Sequence, residues 1–271
     1  MRELADRLTK TIIKKEINLK TGGMKELVKN YIRWWFMPGL DLFTRRRVRL
    51  CRYWMQGTRR VLDAGSGNGW FSYLAYRTGA SVVAINIAED QVRKAIRFYN
   101  TWRKIPVEKL EFRILNLYDI DDLESNFDEI ICYETLEHIK EDAKLCRIFW
   151  RLLKQRGVLH LCAPYAKHPR WRNEPLDLEE NGFHVRSGYT LESYRSLLEP
   201  IGFQIKDVEG MGGPMLTQAW LFLESVKKHL GDVWSLPLAL LLFPFAWLDS
   251  DVTKCPYVLY VRAVKPNPSS S

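Results

Sequence analysis

The sequence predicts an α/β protein with a doubly wound, mostly parallel sheet, and three observations predict it. From Arg59 onward, short apolar β-rich runs alternate with stretches of helical period, which is the pattern of successive βα units with right-handed crossovers. The first run ends in a glycine string, Gly65 to Gly69, that opens a helix. The chain has 271 residues, 46% hydrophobic and 27% charged. That is enough apolar material for one main domain, and too balanced for a disordered or collagen-like chain.

Met24, Leu27, Val28, Tyr31, Ile32 and Trp35 form the i, i+3, i+4, i+7 stripe of an amphipathic helix, ended by Pro38 and Gly39. A second helical stretch carries Phe43, Leu50, Cys51 and Trp54 among Arg45, Arg46, Arg47, Arg49 and Arg52. Residues 1–57 therefore read as a basic helical preamble. Arg60 to Asp63, Ser81 to Ile85, Glu111 to Leu115, Asp128 to Cys132 and Gly157 to Cys162 read as five buried strands. The clearest helix between them carries Leu145, Ile148, Phe149, Leu152 and Leu153. The polar and aromatic stretch 163–189 is too long for an ordinary connection and reads as an active-site loop. A helix at Leu191 to Leu198, a strand near Phe203 to Val208, a helical insertion or lid within 209–255 and a last strand at Tyr257 to Val264 follow. The domain is thus expected over 58–265, with 266–271 as a disordered tail.

Cys51, Cys132, Cys146, Cys162 and Cys255 are odd in number and lack both a disulfide pattern and a CxxC spacing, so a reducing cytoplasm is expected. The N-terminus shows no secretory pattern. The longest apolar run, Leu236 to Leu248, is interrupted by Pro237 and Pro244 and falls short of the roughly 20 residues of a spanning helix. The net charge of +9 is uneven: residues 1–60 hold 16 Lys or Arg against five acids, and the remainder holds 25 against 27. The basicity belongs to the preamble and speaks of a surface or partner.

The chemistry starts at VLDAGSGNGW, Val61 to Trp70. Glycines there let the backbone turn sharply and a ligand approach it, beside the free N–H groups of a helix start. The spacing is GxGxG, with Asp63 two residues before the first glycine, and a carboxylate at that point suits a cation. The string resembles motif I of the class I S-adenosylmethionine-dependent methyltransferases, over about Thr58 to Lys265. The resemblance implies a Rossmann-like seven-stranded sheet with an antiparallel last strand, and S-adenosyl-L-methionine held by Asp63, Gly65, Ser66, Gly67, Asn68 and Gly69. It extends the cofactor set to Asn86, Ile87 and Gln91 after the second strand, Asn116 and Leu117 after the third, and Tyr133 after the fourth. Asn86 departs from the family's usual ribose-gripping acid and gives up the charge-assisted bond. An uncharged residue followed five positions later by Gln, as in Asn86 and Gln91, is similar to the cyclopropane-fatty-acid synthase branch.

Glu134, Glu137 and His138 follow the fourth strand in the order ExxEH. Similar residues in the ubiquinone-type O-methyltransferases bind a divalent metal such as Mg that orients the acceptor oxygen, which implies Glu134, Glu137 and His138 as ligands. The plainer reading is that acids here complement a helix start. Methyl transfer needs in-line approach and loss of a proton, so His138, Glu137 and, from the loop, His184 are the catalytic candidates. Arg186, Tyr165 and Trp171 are candidate acceptor contacts.

Absence of an Asn-Pro-Pro-Tyr-like string argues against nucleic acid as acceptor. The basic preamble and the WSLPLALLLFPFAWL segment point to a cytoplasmic protein peripheral to an anionic membrane surface, although ordinary helix packing explains both as well. The reading is a methyltransferase acting, most simply on oxygen, on a small-molecule, lipid or glycan-linked acceptor. Its alternatives are a carbon-methylating or cyclopropane-forming lipid enzyme, and a non-catalytic cofactor-binding scaffold.

Overall fold

A computed structural model of the chain describes residues 41–57, 59–171, 175–177, 179–180, 182–248 and 254–267. The amphipathic helix expected from Met24 and the end of the expected tail lie outside the described residues. Two compact units divide the chain: one holds Tyr53–Val208 and the chain from Leu259, the other the described residues up to Arg52 together with Glu209–Val258.

Seven strands form one sheet in the order β3-β2-β1-β4-β5-β7-β6: β1 (Arg60–Ala64), β2 (Ser81–Asn86), β3 (Leu110–Ile114), β4 (Phe127–Tyr133), β5 (Leu153–Pro164), β6 (Gln204–Met211) and β7 (Val258–Val264). The first five pair in parallel, with Asp63 of β1 opposite both Ala84 of β2 and Ile131 of β4. The last strands run antiparallel. Leu62, Ala64, Ile85, Ile130, Leu159 and Leu161 are fully buried, as strands covered by helices on both faces require. β5 is longer than its apolar run because Leu153 already pairs with Phe127 across a bulge. Its added residues Lys154, Gln155 and Arg156 are exposed, so hydropathy alone does not mark them as strand.

The helices are α1 (Leu42–Arg47), α2 (Trp70–Arg77), α3 (Glu89–Ala95), α4 (Asp142–Leu152), α5 (Leu191–Leu198), α6 (Pro214–Trp234) and α7 (Leu236–Leu248). Asp41 caps α1 by accepting from Phe43 N and Thr44 N, and Thr190 and Ser193 form a reciprocal capping box on α5. Lys265 Nζ donates to the carbonyls of Trp150 and Leu153 at 2.7 and 2.8 Å, which satisfies carbonyls left open at the end of α4. In the second unit Arg46 and Arg52 pair with the buried Glu209 at 3.2 and 2.7 Å. Phe43 stacks on Tyr257, packed so closely against Gly212 that a Cβ there would meet the Phe43 ring and the Tyr257 Cβ.

Candidate active site

Strand order reverses between β1 and β4, and ligands of open α/β sheets bind in the crevice outside the carboxyl ends at such a switch point. Gly65, Gly67 and Gly69 take φ of 84°, 53° and 78°, the left-handed region that favours glycine. A Cβ on Gly65 would run into the Thr135 side chain on the turn after β4, and one on Gly69 would come within 2.6 Å of the Phe112 ring. On Gly67 it would meet only Gln91 Oε1, at 3.9 Å, so the middle of the string faces open space. Gly65 N and Ser66 N both donate to the Ile85 carbonyl, at 2.9 and 2.8 Å, which pins the turn to β2.

Asp63 lies at the foot of this turn, 3% exposed. The Ser72 hydroxyl of α2 donates to its carboxylate, yet burial dominates and raises its pKa to about 6. Ser66 Oγ is buried without a partner. A polar, cationic ligand in the crevice would compensate both costs, so these residues fit S-adenosylmethionine. Asn68 Oδ1 accepts from Trp70 N at 3.1 Å and supports the start of α2.

At the end of β2, Asn86 Nδ2 donates to Gly67 O at 3.3 Å and to Gln91 Oε1 at 3.1 Å, while its Oδ1 accepts from Ala88 N. Its amide and that of Gln91 thus fasten the glycine string to the β2 turn. Ile87 beside them, in the cofactor set the resemblance implies, is 68% exposed. Asn116 Oδ1 accepts from Tyr118 N at 3.0 Å and Leu117 is buried. Tyr133 is buried too, its hydroxyl accepting from Trp54 Nε1 at 3.2 Å and its ring edge-on to Phe71.

After β4 the chain makes a tight turn. Glu134 takes φ 50°, a left-handed conformation unusual for a side chain that long, while its N–H donates to Cys162 O at 2.7 Å. Beyond it, one ligand atom each of Glu137, His138 and His184 lie within 4.8 Å of one another. His184, and not Glu134, completes this cluster with Glu137 and His138. His138 Nδ1 lies 2.9 Å from the Phe183 carbonyl. A carbonyl only accepts, so the proton belongs on Nδ1 and the lone pair on Nε2, 3.9 Å from Glu137 Oε1. Two imidazoles and a carboxylate brought together in this way can hold a divalent cation or take a proton.

Backbone and side chain bonds bring the loop onto this turn. Val185 N donates to Glu137 O at 2.9 Å. Arg186, expected to touch the acceptor, instead donates to Ile139 O at 2.6 Å, to Lys140 O at 2.9 Å and to the Asp142 carboxylate. Tyr189 OH donates to Asp142 at 2.7 Å. Glu180 accepts from Lys140 N and from the Tyr118 hydroxyl. Trp171 is buried, its ring 5.5 Å from His184, and Tyr165 bridges to Tyr189 through the backbone. Thr135 and Glu180 were not singled out from sequence. Thr135 carries no signal beyond facing a glycine, and Glu180 is one acid in an acidic stretch.

A glycine-lined crevice at the switch point of this sheet, floored by a buried carboxylate, defines a cofactor-binding methyltransferase fold. Residues 56–187 match the family model described as a methyltransferase domain. The ubiquinone biosynthesis O-methyltransferase of Xanthomonas euvesicatoria is 33% identical over 193 residues, covering 66% of this chain and 79% of that protein. Its counterpart in Xanthomonas oryzae is 34% identical over 136 residues, 48% of this chain, and the match spans 55% of that relative's length. Among solved structures, phosphoethanolamine N-methyltransferase 2 of Haemonchus contortus, in complex with S-adenosyl-L-methionine, shares the fold with a TM-score of 0.59 at 18% identity. That match covers 82% of this chain and 52% of that one. The chain belongs to the class I S-adenosylmethionine-dependent methyltransferase family.

Proposed function

We propose that this protein transfers the methyl group of S-adenosylmethionine to a hydroxyl oxygen of a small, lipidic or glycan-linked acceptor, in the cytoplasm. The observation that carries the choice of oxygen is the cluster of Glu137, His138 and His184. The names of the Xanthomonas relatives agree with it. That none of the five cysteines is in a disulfide agrees with the compartment.

In the step, an oxygen lone pair attacks the sulfonium methyl carbon, the carbon–sulfur bond breaks with its electron pair going to sulfur, and the acceptor hydroxyl loses its proton. The Asp63 carboxylate would face the cationic end of the cofactor, and the string from Gly65 to Gly69 would let that end approach the backbone. Asn86 and Gln91 hold the string in shape. His138 Nε2, its lone pair set by the Phe183 carbonyl, takes the proton where no cation is held; a cation bound there would occupy that lone pair, and the proton would leave to solvent from a hydroxyl the cation has acidified. A divalent cation held by Glu137, His138 and His184 would lower the pKa of the acceptor hydroxyl. Two nitrogens in a set of three favour manganese or zinc over magnesium, which prefers oxygen donors.

Calorimetry with S-adenosylmethionine and S-adenosylhomocysteine, followed by a labelled-methyl screen over lipid, polysaccharide and small-molecule pools, tests the reading. Binding of both without transfer to any pool would favour a scaffold, and label on carbon would favour the lipid-carbon alternative. Chelation by EDTA is expected to abolish turnover, and manganese to restore it. Turnover that survives EDTA would leave His138 as an unaided base.

A further inference from the structure

The second unit carries an apolar surface that methyl transfer leaves unexplained. Seven of the twelve large exposed apolar residues among the described residues lie on α6 and α7, including Phe222 at 56%, Leu230 at 57%, Trp234 at 78% and Leu241 at 73%. From Leu236 to Leu248 no side chain is polar. Trp234, Pro237, Leu241 and Pro244 recur at i, i+3, i+7 and i+10, one stripe of a helix, and all four are exposed, while Ala239 is fully buried. A surface helix in water carries charged or polar residues on that outer stripe.

Length and charge identify the occupant. Thirteen residues span about 20 Å at 1.5 Å per residue, against roughly 30 Å of hydrocarbon, and no helix among the described residues is long and apolar enough to cross a membrane. A short, wholly apolar helix introduced by a tryptophan suits a seat in the headgroup boundary. Cations accompany it. Lys228 is exposed just before Leu230, and the Arg45 guanidinium lies 3.3 Å from the Phe243 ring centroid on α7. Among the described residues of this unit, 41–52, 209–248 and 254–258 hold eight Lys or Arg against four Asp or Glu.

We propose that α7 and the end of α6 dock flat on an anionic lipid surface, with the stripe from Trp234 to Pro244 sunk into the headgroup boundary. Docking requires no methyl transfer, so it stands or falls apart from the catalytic reading.

Flotation of the full chain with phosphatidylcholine vesicles, with and without phosphatidylglycerol, tests it, beside Leu240→Ser/Leu241→Ser and Lys228→Glu variants. Retained S-adenosylmethionine affinity and an unchanged melting curve identify folded variants. The parent chain is expected to float with anionic vesicles and to bind them less at ~0.5 M salt. The double leucine variant is expected to lower the bound-to-free ratio roughly tenfold or more, and Lys228→Glu to weaken binding only at low salt. Three outcomes would overturn the proposal. One is failure of the parent chain to float. Another is a double leucine variant that floats like the parent. The third is a concentration-dependent dimer without vesicles that the leucine substitutions dissolve, which would make the stripe a contact between two copies.

Discussion

Burial raises the Asp63 pKa to about 6, so the folded protein disfavours the ionised carboxylate that a cationic cofactor beside it would call for. Because the folded value lies above the ordinary one, the folded state holds an extra proton between about pH 4 and pH 6. Stability therefore falls as pH rises through that window, and the full cost, about 3 kcal/mol, is present above it. Asp63→Asn keeps an acceptor for the Ser72 hydroxyl and removes the charge. The variant is expected to melt at a higher temperature than the parent at pH 7.5 and to bind S-adenosylmethionine at least about tenfold more weakly. In the parent, cofactor affinity should rise with pH up to about 6 and then level off. Calorimetry across that range checks it, and a variant with parental affinity would remove Asp63 from the cofactor site. The residue was legible because an acid two positions before GxGxG has few purely structural uses. Its raised pKa was not, since it depends on how deeply β1 is covered.

The loop after β5 shows what sequence leaves out at the level of an element. Its existence and the interest of His184 could be read from a stretch too long and too aromatic for a connection. The partnership of His184 with Glu137 and His138 could not, because it rests on the Val185-to-Glu137 backbone bond and on Arg186 reaching the carbonyls of Ile139 and Lys140. Nor was the exclusion of Glu134 legible, since it follows from the left-handed turn that starts at that residue. Arg186→Ala frees two carbonyls and the Asp142 carboxylate and should let the loop lift from the turn. Turnover is expected to fall roughly a hundredfold, with S-adenosylmethionine affinity within about twofold of the parent because the glycine string is untouched. Manganese affinity should drop with turnover. Arg186→Lys, with one point charge in place of a planar fork, should recover only part of either. Equal losses of cofactor and manganese binding would instead indicate general unfolding.

At the scale of the whole first unit, the strands could be read from their apolar runs, but the polar chain that ties them together could not. Glu129 on β4 and Arg59 before β1 form a buried ion pair. Glu129 also accepts from Met55 N at 2.7 Å and from His160 Nε2 on β5 at 3.1 Å, and Tyr260 OH on β7 lies 2.8 Å from His160 Nδ1. Periodicity counts each of these as one polar residue in an apolar strand and is silent on their meeting across the sheet. Burial lowers the His160 pKa against the pull of Glu129, whereas for Glu129 burial pushes upward but is outweighed by His160, Met55 N–H and Arg59, so the carboxyl ends below its ordinary range. Both shifts mean that the folded state binds fewer protons than the unfolded chain. The stability they contribute is lost as pH falls, first below the ordinary histidine pKa near 6.5 and then below that of glutamate near 4.5. The Glu129 shift acts below pH 4.5, so between pH 7 and pH 5 His160 alone opposes the trend set by Asp63, and its part should show as a decline in the melting temperature of Asp63→Asn over that range. Glu129→Ala would strand the Arg59 guanidinium, 2% exposed, in the interior. The expected loss is about 3–5 kcal/mol, a fall in melting temperature on the order of ten degrees, with a change from pH 7 to pH 5 no more favourable than the parent's, because the upward pull of Glu129 on His160 is gone. Calorimetric melts at the two pH values decide it: a variant within two or three degrees of the parent at pH 7 would mean that the sheet stands without this chain of polar contacts.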